Sequence, residues 1–396
     1  MHRSPGVVSP TISGMLRFLT AGESHGPGLT TIVEGLPAGL AVDPEALSDE
    51  LARRRLGFGR GPRMKLERDE LEILGGVRFG LTLGGPVSVL IRNTEWDKWS
   101  EEMSPLPGEA RRPATTPRPG HADLAGMQKY DTRDARDILE RASARDTAAR
   151  TVAGTLAQTL LAAVDLSVHP HVVASGSANT TPGATPTLDD LPLIAESPVR
   201  AFGSEGTVAM VAAIEAAKAD RDTLGGVVEV VAHGVMPGLG SHVHYDRRLD
   251  ARLAGALMSI QAIKGVEIGD GFVTAARRGS EAHDEIRYDD GFVRDTNRAG
   301  GLEGGMSMGG VIRARAAMKP LSNLMRALQT VDVDTKQPEQ AIRERSDVCA
   351  VPAAGVVAEQ MVAIVLAQEV QRKFGGDTVN DLVAAVDYYR ARLARF

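Results

Sequence analysis

The chain has 396 residues, 43% hydrophobic and 24% charged with a net charge of −6, a balance that suits a globular protein with a substantial core and argues against nucleic acid as a general partner. Its single cysteine rules out an intrachain disulfide and fits a reducing, cytoplasmic compartment, and no apolar run approaches the ~20 residues of a membrane span. Aromatics are only 4% while glycines number 43, so the core must be built from small aliphatic side chains with many special backbone positions.

Residues 1–14 lack an apolar core segment and so do not form a signal peptide. They are expected to be a disordered extension, or a stretch upstream of a natural start at Met15. The apolar run Met15-Leu16-Arg17-Phe18-Leu19 leads into Gly22-Glu23-Ser24-His25-Gly26, which sets a hydroxyl beside an imidazole between glycines. Gly22-x-Ser24-x-Gly26 fits a nucleophile elbow of a serine hydrolase, but that device needs a helix next. Here Leu29-Thr30-Thr31-Ile32-Val33-Glu34-Gly35 follows, β-branched and glycine-bounded, and reads as a second strand. The alternative is an inter-strand loop whose Ser24 and His25 face an anionic substrate.

Asp43-Pro44-Glu45 caps a helix running to about Leu56. Helical spacing also marks Ser143 to Val164, Ser204 to Ala219, Asp246 to Ile263, Gly355 to Phe374 with its stop at Gly375-Gly376, and Thr378 to Leu393. Leu83 to Val89, Leu224 to Val230 and Met308 to Ala314 each enter an alternating strand through Gly-Gly. That is either a weak internal repeat or coincidence in a glycine-rich chain. The proline-bearing stretches Arg111 to Gly120 and Asn179 to Pro198 are too short to separate domains, so residues 15–396 are expected to form one α+β domain.

Arg53, Arg54, Arg55, Arg60, Arg63, Lys65 and Arg68 crowd the glycine loop Gly57-Phe58-Gly59-Arg60-Gly61. They form either a solvated basic face or an anion site, and the embedded glycines favour the latter. No P-loop pattern is present. Arg118-Pro119-Gly120-His121-Ala122-Asp123 places a second histidine in a stiff loop. Arg141-Ala142-Ser143-Ala144-Arg145 precedes an Ala-rich helix whose N-terminus suits a phosphate. Arg345-Ser346-Asp347 reads as an ion pair beside a small buried Cys349. His169-x-His171 and His242-x-His244 lack further ligands at metal spacing and are expected on surface loops.

Taken together, Gly22 to Gly26, Arg118 to Asp123, Glu140-Arg141-Ala142-Ser143-Ala144-Arg145, Thr296-Asn297-Arg298-Ala299-Gly300-Gly301, Lys319-Pro320 and Arg345-Ser346-Asp347 resemble chorismate synthase, in order from about Met15 to Phe374. The resemblance implies a β-α-β sandwich, a homotetramer, and a lyase that forms chorismate and phosphate from 5-enolpyruvylshikimate-3-phosphate, the last step of the shikimate pathway. It implies an anti 1,4-elimination without net redox change that requires reduced FMN, the flavin supplying the electronic chemistry and the protein the binding and proton handling. It also implies roles. His25 matches the acid at the leaving phosphate and His121 the acid near the flavin. Ser24 and Asp347 match a proton relay. Arg54 and Arg60 match substrate-side or NADPH contacts. Arg141, Ala142, Ser143, Gln261, Ala262, Gly304, Lys319, Pro320, Leu321, Ser322, Asn323 and Arg345 match FMN contacts. Asn323 stands where the family has Ser or Thr. An FMN-binding flavin reductase is the other class, but no dinucleotide fingerprint follows a predicted strand, so flavin reduction is expected to come from an external reductase.

Overall fold

Two antiparallel sheets enclose a layer of helices in the computed structural model, which describes residues 15–61, 69–180, 184–342 and 347–396. The expected N-terminal extension, Arg63, Lys65, Arg68 and Arg345 lie outside the described residues. In chain order the principal elements are β1 (Arg17–Ala21), β2 (Gly28–Glu34), α1 (Pro44–Arg55), β3 (Glu70–Gly75), β4 (Val87–Arg92), α2 (Asp123–Tyr130), α3 (Arg136–Ala142), α4 (Thr147–Ala162), β5 (Ser167–Ser175), α5 (Ser204–Ala219), β6 (Gly226–His233), α6 (Leu249–Met258), β7 (Ile263–Ile268), β8 (Ile312–Met318), α7 (Val351–Phe374) and α8 (Val379–Leu393). The first sheet runs β1–β2–β4–β3; the second runs β7–β8–β6–β5 and ends in the short strand Ala178–Asn179. This is the α+β sandwich that the resemblance implies.

Strand alternation decides which face goes inside. Leu29 and Val33 on β2 and Val87, Val89 and Ile91 on β4 are fully buried and turn towards α4. Val168, Val172, Val228, Val230, Ile312, Ala314 and Ala316 do the same for α7 on the second sheet. The two helices then pack against each other between the sheets. Their close approach depends on Gly154, where a Cβ would stand 2.2 Å from the Gln360 Cβ. Beside that crossing, Gln158 Nε2 donates to Gln360 Oε1 at 3.2 Å. Buried aliphatics from both sheets and the helices form one contiguous core, each contributing about 1.5–3 kcal/mol for the larger side chains.

α1 is capped as its sequence predicts: Asp43 Oδ1 accepts from the Glu45 N–H at 2.9 Å. Its last turn carries Arg53, Arg54 and Arg55, where terminal carbonyls favour cations. The three Gly-Gly strands become β4, β6 and β8, and each is an inner strand of its sheet. α2, α3 and β7 are short elements that helical spacing did not reveal. The helix expected over Asp246 to Ile263 is confined to Leu249–Met258, with Ile263 already in β7. The helix expected from Ser143 breaks at its start. Ser143 is extended, its hydroxyl accepts from the Arg145 N–H at 3.3 Å, and a 3-10 turn over Ala144–Asp146 precedes α4.

Two expectations need correction. α7 is long and apolar enough, by length and composition, to cross a membrane, with a mean hydropathy of 1.5 in its most apolar window. That window is 94% buried within the protein, so its apolar surface is spent on the core. His169 and His171 lie on β5, not on a surface loop, because Val168 and Val172 take the helix-facing side and leave the histidines together on the other. There His171 Nε2 stands 3.0 Å from Glu229 Oε2, while Arg315 Nε and Arg313 Nη2 donate to Glu229 Oε1 at 2.7 and 3.2 Å. His242 and His244 lie on an exposed loop, as expected.

Candidate active site

The site begins where β1 turns into β2. Gly22 has φ +104°, and a Cβ there would stand 2.3 Å from the Gly28 carbonyl oxygen, so only glycine closes this turn. Because Ser24 is followed by a strand, the elbow geometry of a hydrolase is absent here. Ser24 is held from α3 and its C-terminus: its N–H donates to the Glu140 carbonyl at 3.0 Å, and Ser143 Oγ donates to Ser24 Oγ at 3.2 Å. His25 is buried, with its ring stacked 4.0 Å from that of Trp99. Its Nδ1 lies 2.9 Å from Glu140 Oε1, and its backbone N–H donates to Glu140 Oε2 at 2.8 Å. Burial opposes ionisation of Glu140, but the bonds from His25 and the charge of Arg136 outweigh it and hold the carboxyl below its ordinary range.

Beside this loop is a concentration of guanidinium groups. Arg54 and Arg55 at the end of α1 and Arg145 before α4 converge on one carboxylate, Asp69, at 3.8, 3.4 and 3.7 Å. Burial pushes the Arg54 pKa down to about 10. Asp69 opposes that shift, whereas Arg60, Arg145 and Arg55 reinforce it. Three guanidinium groups gathered in a desolvated place suit the binding of a multiply charged anion. Arg60 Nη1 pairs with Asp347 Oδ2 at 2.8 Å, and Asp347 Oδ1 also accepts from the Gly61 N–H at 2.7 Å. Cys349 is buried beside them, as its sequence context suggests.

The second histidine sits at the start of α2. His121 Nδ1 is bonded to Asp123 Oδ1, and Arg118 Nε donates to Asp123 Oδ2 at 2.8 Å. Burial works against Asp123, yet the hydrogen bonds of His121 and Arg118 hold it well below the usual carboxylate range. Arg118 Nη1 also donates to Asn323 Oδ1 at 2.9 Å. Asn323 thus holds the arginine that bonds to the Asp123 carboxylate and lies against His121. Lys319 lies close by, its Nζ 3.7 Å from where a Cβ at Gly120 would be, and Ser322 approaches the same point at 3.5 Å. The Lys319 N–H donates to the Ala262 carbonyl at 2.9 Å, and Thr223 Oγ1 donates to the Leu321 carbonyl at 2.8 Å. Ala262 itself has φ +68°, a conformation costing about 1–3 kcal/mol that is retained where a site requires it. Beside it Gln261 Oε1 is a buried acceptor with no hydrogen-bond partner among the described residues.

Asp146 joins the two halves. Its carboxylate accepts from Thr20 Oγ1 at 3.0 Å, pairs with Arg141 at 3.0 Å and with Arg150 at 3.0 Å, and accepts from Gln261 Nε2 at 3.4 Å. Arg141 in turn donates to the Thr20 and Gly22 carbonyls at 2.8 and 3.1 Å. The structure therefore brings together His25, Ser24, Arg141, Ala142 and Ser143 with Gln261, Ala262 and the Lys319–Asn323 segment. Gly304 is set apart. Its hairpin neighbour Gly305 accepts from the Leu249 N–H at the start of α6, whereas Gln261 follows the end of that helix, roughly 15 Å away along the axis. Glu140, Asp123, Asp69 and Asp146 are the site carboxylates to which sequence reasoning gave no role. The signal that could have found them is the excess of arginines, since buried cations need carboxylate partners.

The donor set fits the implied flavin mononucleotide. Lys319 can neutralise a phosphate, Ser322 offers a hydroxyl, Arg141 stands beside them already paired with Asp146, and Gln261 Oε1, unpartnered among the described residues, offers an acceptor to a polar ring edge. The family model described as chorismate synthase matches residues 16–371. A protein named chorismate synthase from Acidothermus cellulolyticus is 61% identical over 375 residues, covering 92% of this chain and 96% of its own. One of the same name from Thermobifida fusca is 60% identical over 380 residues, covering 93% and 97%. A crystal structure of chorismate synthase superposes with a TM-score of 0.78 at 40% identity, covering 96% of this chain and 99% of that one.

Proposed function

The chain belongs to the chorismate synthase family of carbon–oxygen lyases, and we propose that it converts 5-enolpyruvylshikimate-3-phosphate to chorismate and phosphate by anti 1,4-elimination. The observation that carries this reading is the convergence of Arg54, Arg55 and Arg145 on the carboxylate of Asp69, together with the buried His25–Glu140 pair. A substrate with one phosphate and two carboxylates calls for such a concentration of guanidinium groups. In the reaction the C–O bond to phosphate breaks, a proton leaves the ring, and the electron pairs rearrange into the diene. His25 gives the departing phosphate a proton, while the arginines hold its charge. Ser24 and Asp347 are carried from the resemblance as proton-handling groups, each tied down, Ser24 by Ser143 and Asp347 by Arg60. His121 with Asp123 is assigned the flavin side, together with Arg141, Ser143, Gln261, Ala262 and the Lys319–Asn323 segment. Reduced FMN, when bound, supplies transiently the electron that helps phosphate leave. The burial of Arg54 among other cations favours a substrate contact over NADPH. A homotetramer and a cytoplasmic location complete the proposal.

Under anaerobic conditions with chemically reduced FMN, the protein should release phosphate and chorismate in equal amounts. Phosphate without chorismate would overturn the assignment in favour of a phosphatase. In the same assay in air, FMN and NADPH alone should give no turnover, because reduction is assigned to an external reductase. Turnover there would instead make Arg54 and Arg60 nicotinamide contacts.

A further inference from the structure

The side chain that governs His25 belongs to Glu140, on α3. Its two oxygens meet three nitrogens: Oε1 lies 2.9 Å from His25 Nδ1 and accepts from Arg136 Nη1 at 2.8 Å, and Oε2 accepts from the His25 backbone N–H at 2.8 Å. Glu140 is 3% exposed, so water does not compete for these bonds. A carboxyl held below its ordinary pKa range is an acceptor. The proton between the two residues therefore sits on Nδ1. Trp99 covers the imidazole at 4.0 Å, and the Arg136 guanidinium lies 5.0 Å above the Trp99 ring. The ring is thus fixed at its edge and on its face.

We propose that Glu140 is the positioning residue for His25, fixing the Nδ1–H tautomer so that Nε2 is the nitrogen that exchanges the proton with the leaving group. The hydrogen bond at one ring nitrogen sets the state of the other. Because the same carboxylate also ties down the His25 backbone, it fixes where Nε2 stands as well as its protonation. The proposal rests on the reading of His25 as the proton donor to phosphate.

The first test needs no variant. In 15N-histidine NMR of the whole protein, with the ring neutral, the His25 signals (identified by their loss in His25→Ala) should report a proton on Nδ1. A proton on Nε2 overturns the proposal. In Glu140→Gln the amide presents only one acceptor to the His25 donors, so the tautomers should become mixed. With reduced FMN, kcat should fall about 10- to 100-fold, part of the ~100- to 10,000-fold that a general acid supplies, with KM little changed. Glu140→Asp, which keeps the charge, should recover part of that loss and retain the Nδ1 proton. In a His25→Ala background, Glu140→Gln should cost nothing further; an undiminished second loss would show that Glu140 acts elsewhere and would overturn the proposal. Normal turnover by His25→Ala would remove His25 from the mechanism, whereas the NMR result would still report whether Glu140 holds the ring.

Discussion

Replacing His25 with alanine is expected to slow the saturated rate by about 100- to 10,000-fold, the usual contribution of a positioned general acid, with much smaller changes in substrate and flavin affinity. The reasoning is spatial. Asp69 and the guanidinium groups of Arg54, Arg55 and Arg145 lie on other elements than the Gly22–Gly28 turn. Removing an imidazole leaves the anion cluster intact, so binding survives and proton delivery does not. Single-turnover rates and binding titrations on the same variant separate the two. If His25 merely braced the glycine turn, the variant would lose thermal stability or affinity and turn over normally at saturation. Leaving-group stabilisation would then fall on Arg54 and Arg60.

The largest effect on stability is expected at Glu229, far from any role assigned above. Its carboxylate is completely buried and pairs with His171, Arg313 and Arg315. Burial alone would raise its pKa. The His171 hydrogen bond and the two arginines outweigh burial and lower it from 4.5 to about 2. Glu229→Gln keeps the shape and removes the charge, leaving Arg313 buried and Arg315 largely so without their common counter-ion. Breaking a buried pair in this way typically costs about 3–5 kcal/mol, readable by urea unfolding at neutral pH. The sign with pH follows from the depressed value. The stabilisation is fully present above the unfolded pKa near 4.5 and is lost as pH falls through about 2. Wild type should therefore lose stability over that acid window more steeply than Glu229→Gln. A loss below about 1 kcal/mol would mean the cluster behaves as a solvated surface pair.

The contrast between these two glutamate–histidine pairs shows what the sequence conveyed. Gly22 to Gly26 displayed His25 because glycines and a following strand are local signals, readable from neighbours along the chain. Glu140 stood in a recognisable string, yet nothing local says that its side chain reaches across 115 residues of sequence to His25. His171 was misplaced for the same reason. His-x-His carries a period of two, but whether the partner face is solvent or Glu229 depends on which strand lies alongside. The capped helix Pro44–Arg55 and the helix with long apolar spacing, Ser204–Ala219, lie where the pattern puts them. The short helices α2 and α3 carry only eight and seven residues, too few turns for periodicity to register. They nonetheless deliver Asp123 and Glu140.

The stacking of Trp99 on His25 makes the site optically addressable. The chain contains only two tryptophans, and both lie in the four-residue helix Trp96–Trp99. Indole emission depends on what is packed against the ring, and Trp99 has its ring centroid 4.0 Å from that of His25. The unlabelled protein's own emission should thus change when His25 is replaced by alanine, and again when a ligand displaces that ring. Emission unchanged in His25→Ala would mean that the two rings do not meet. With so few competing chromophores, the surroundings of one imidazole become visible in a cuvette before any substrate is added.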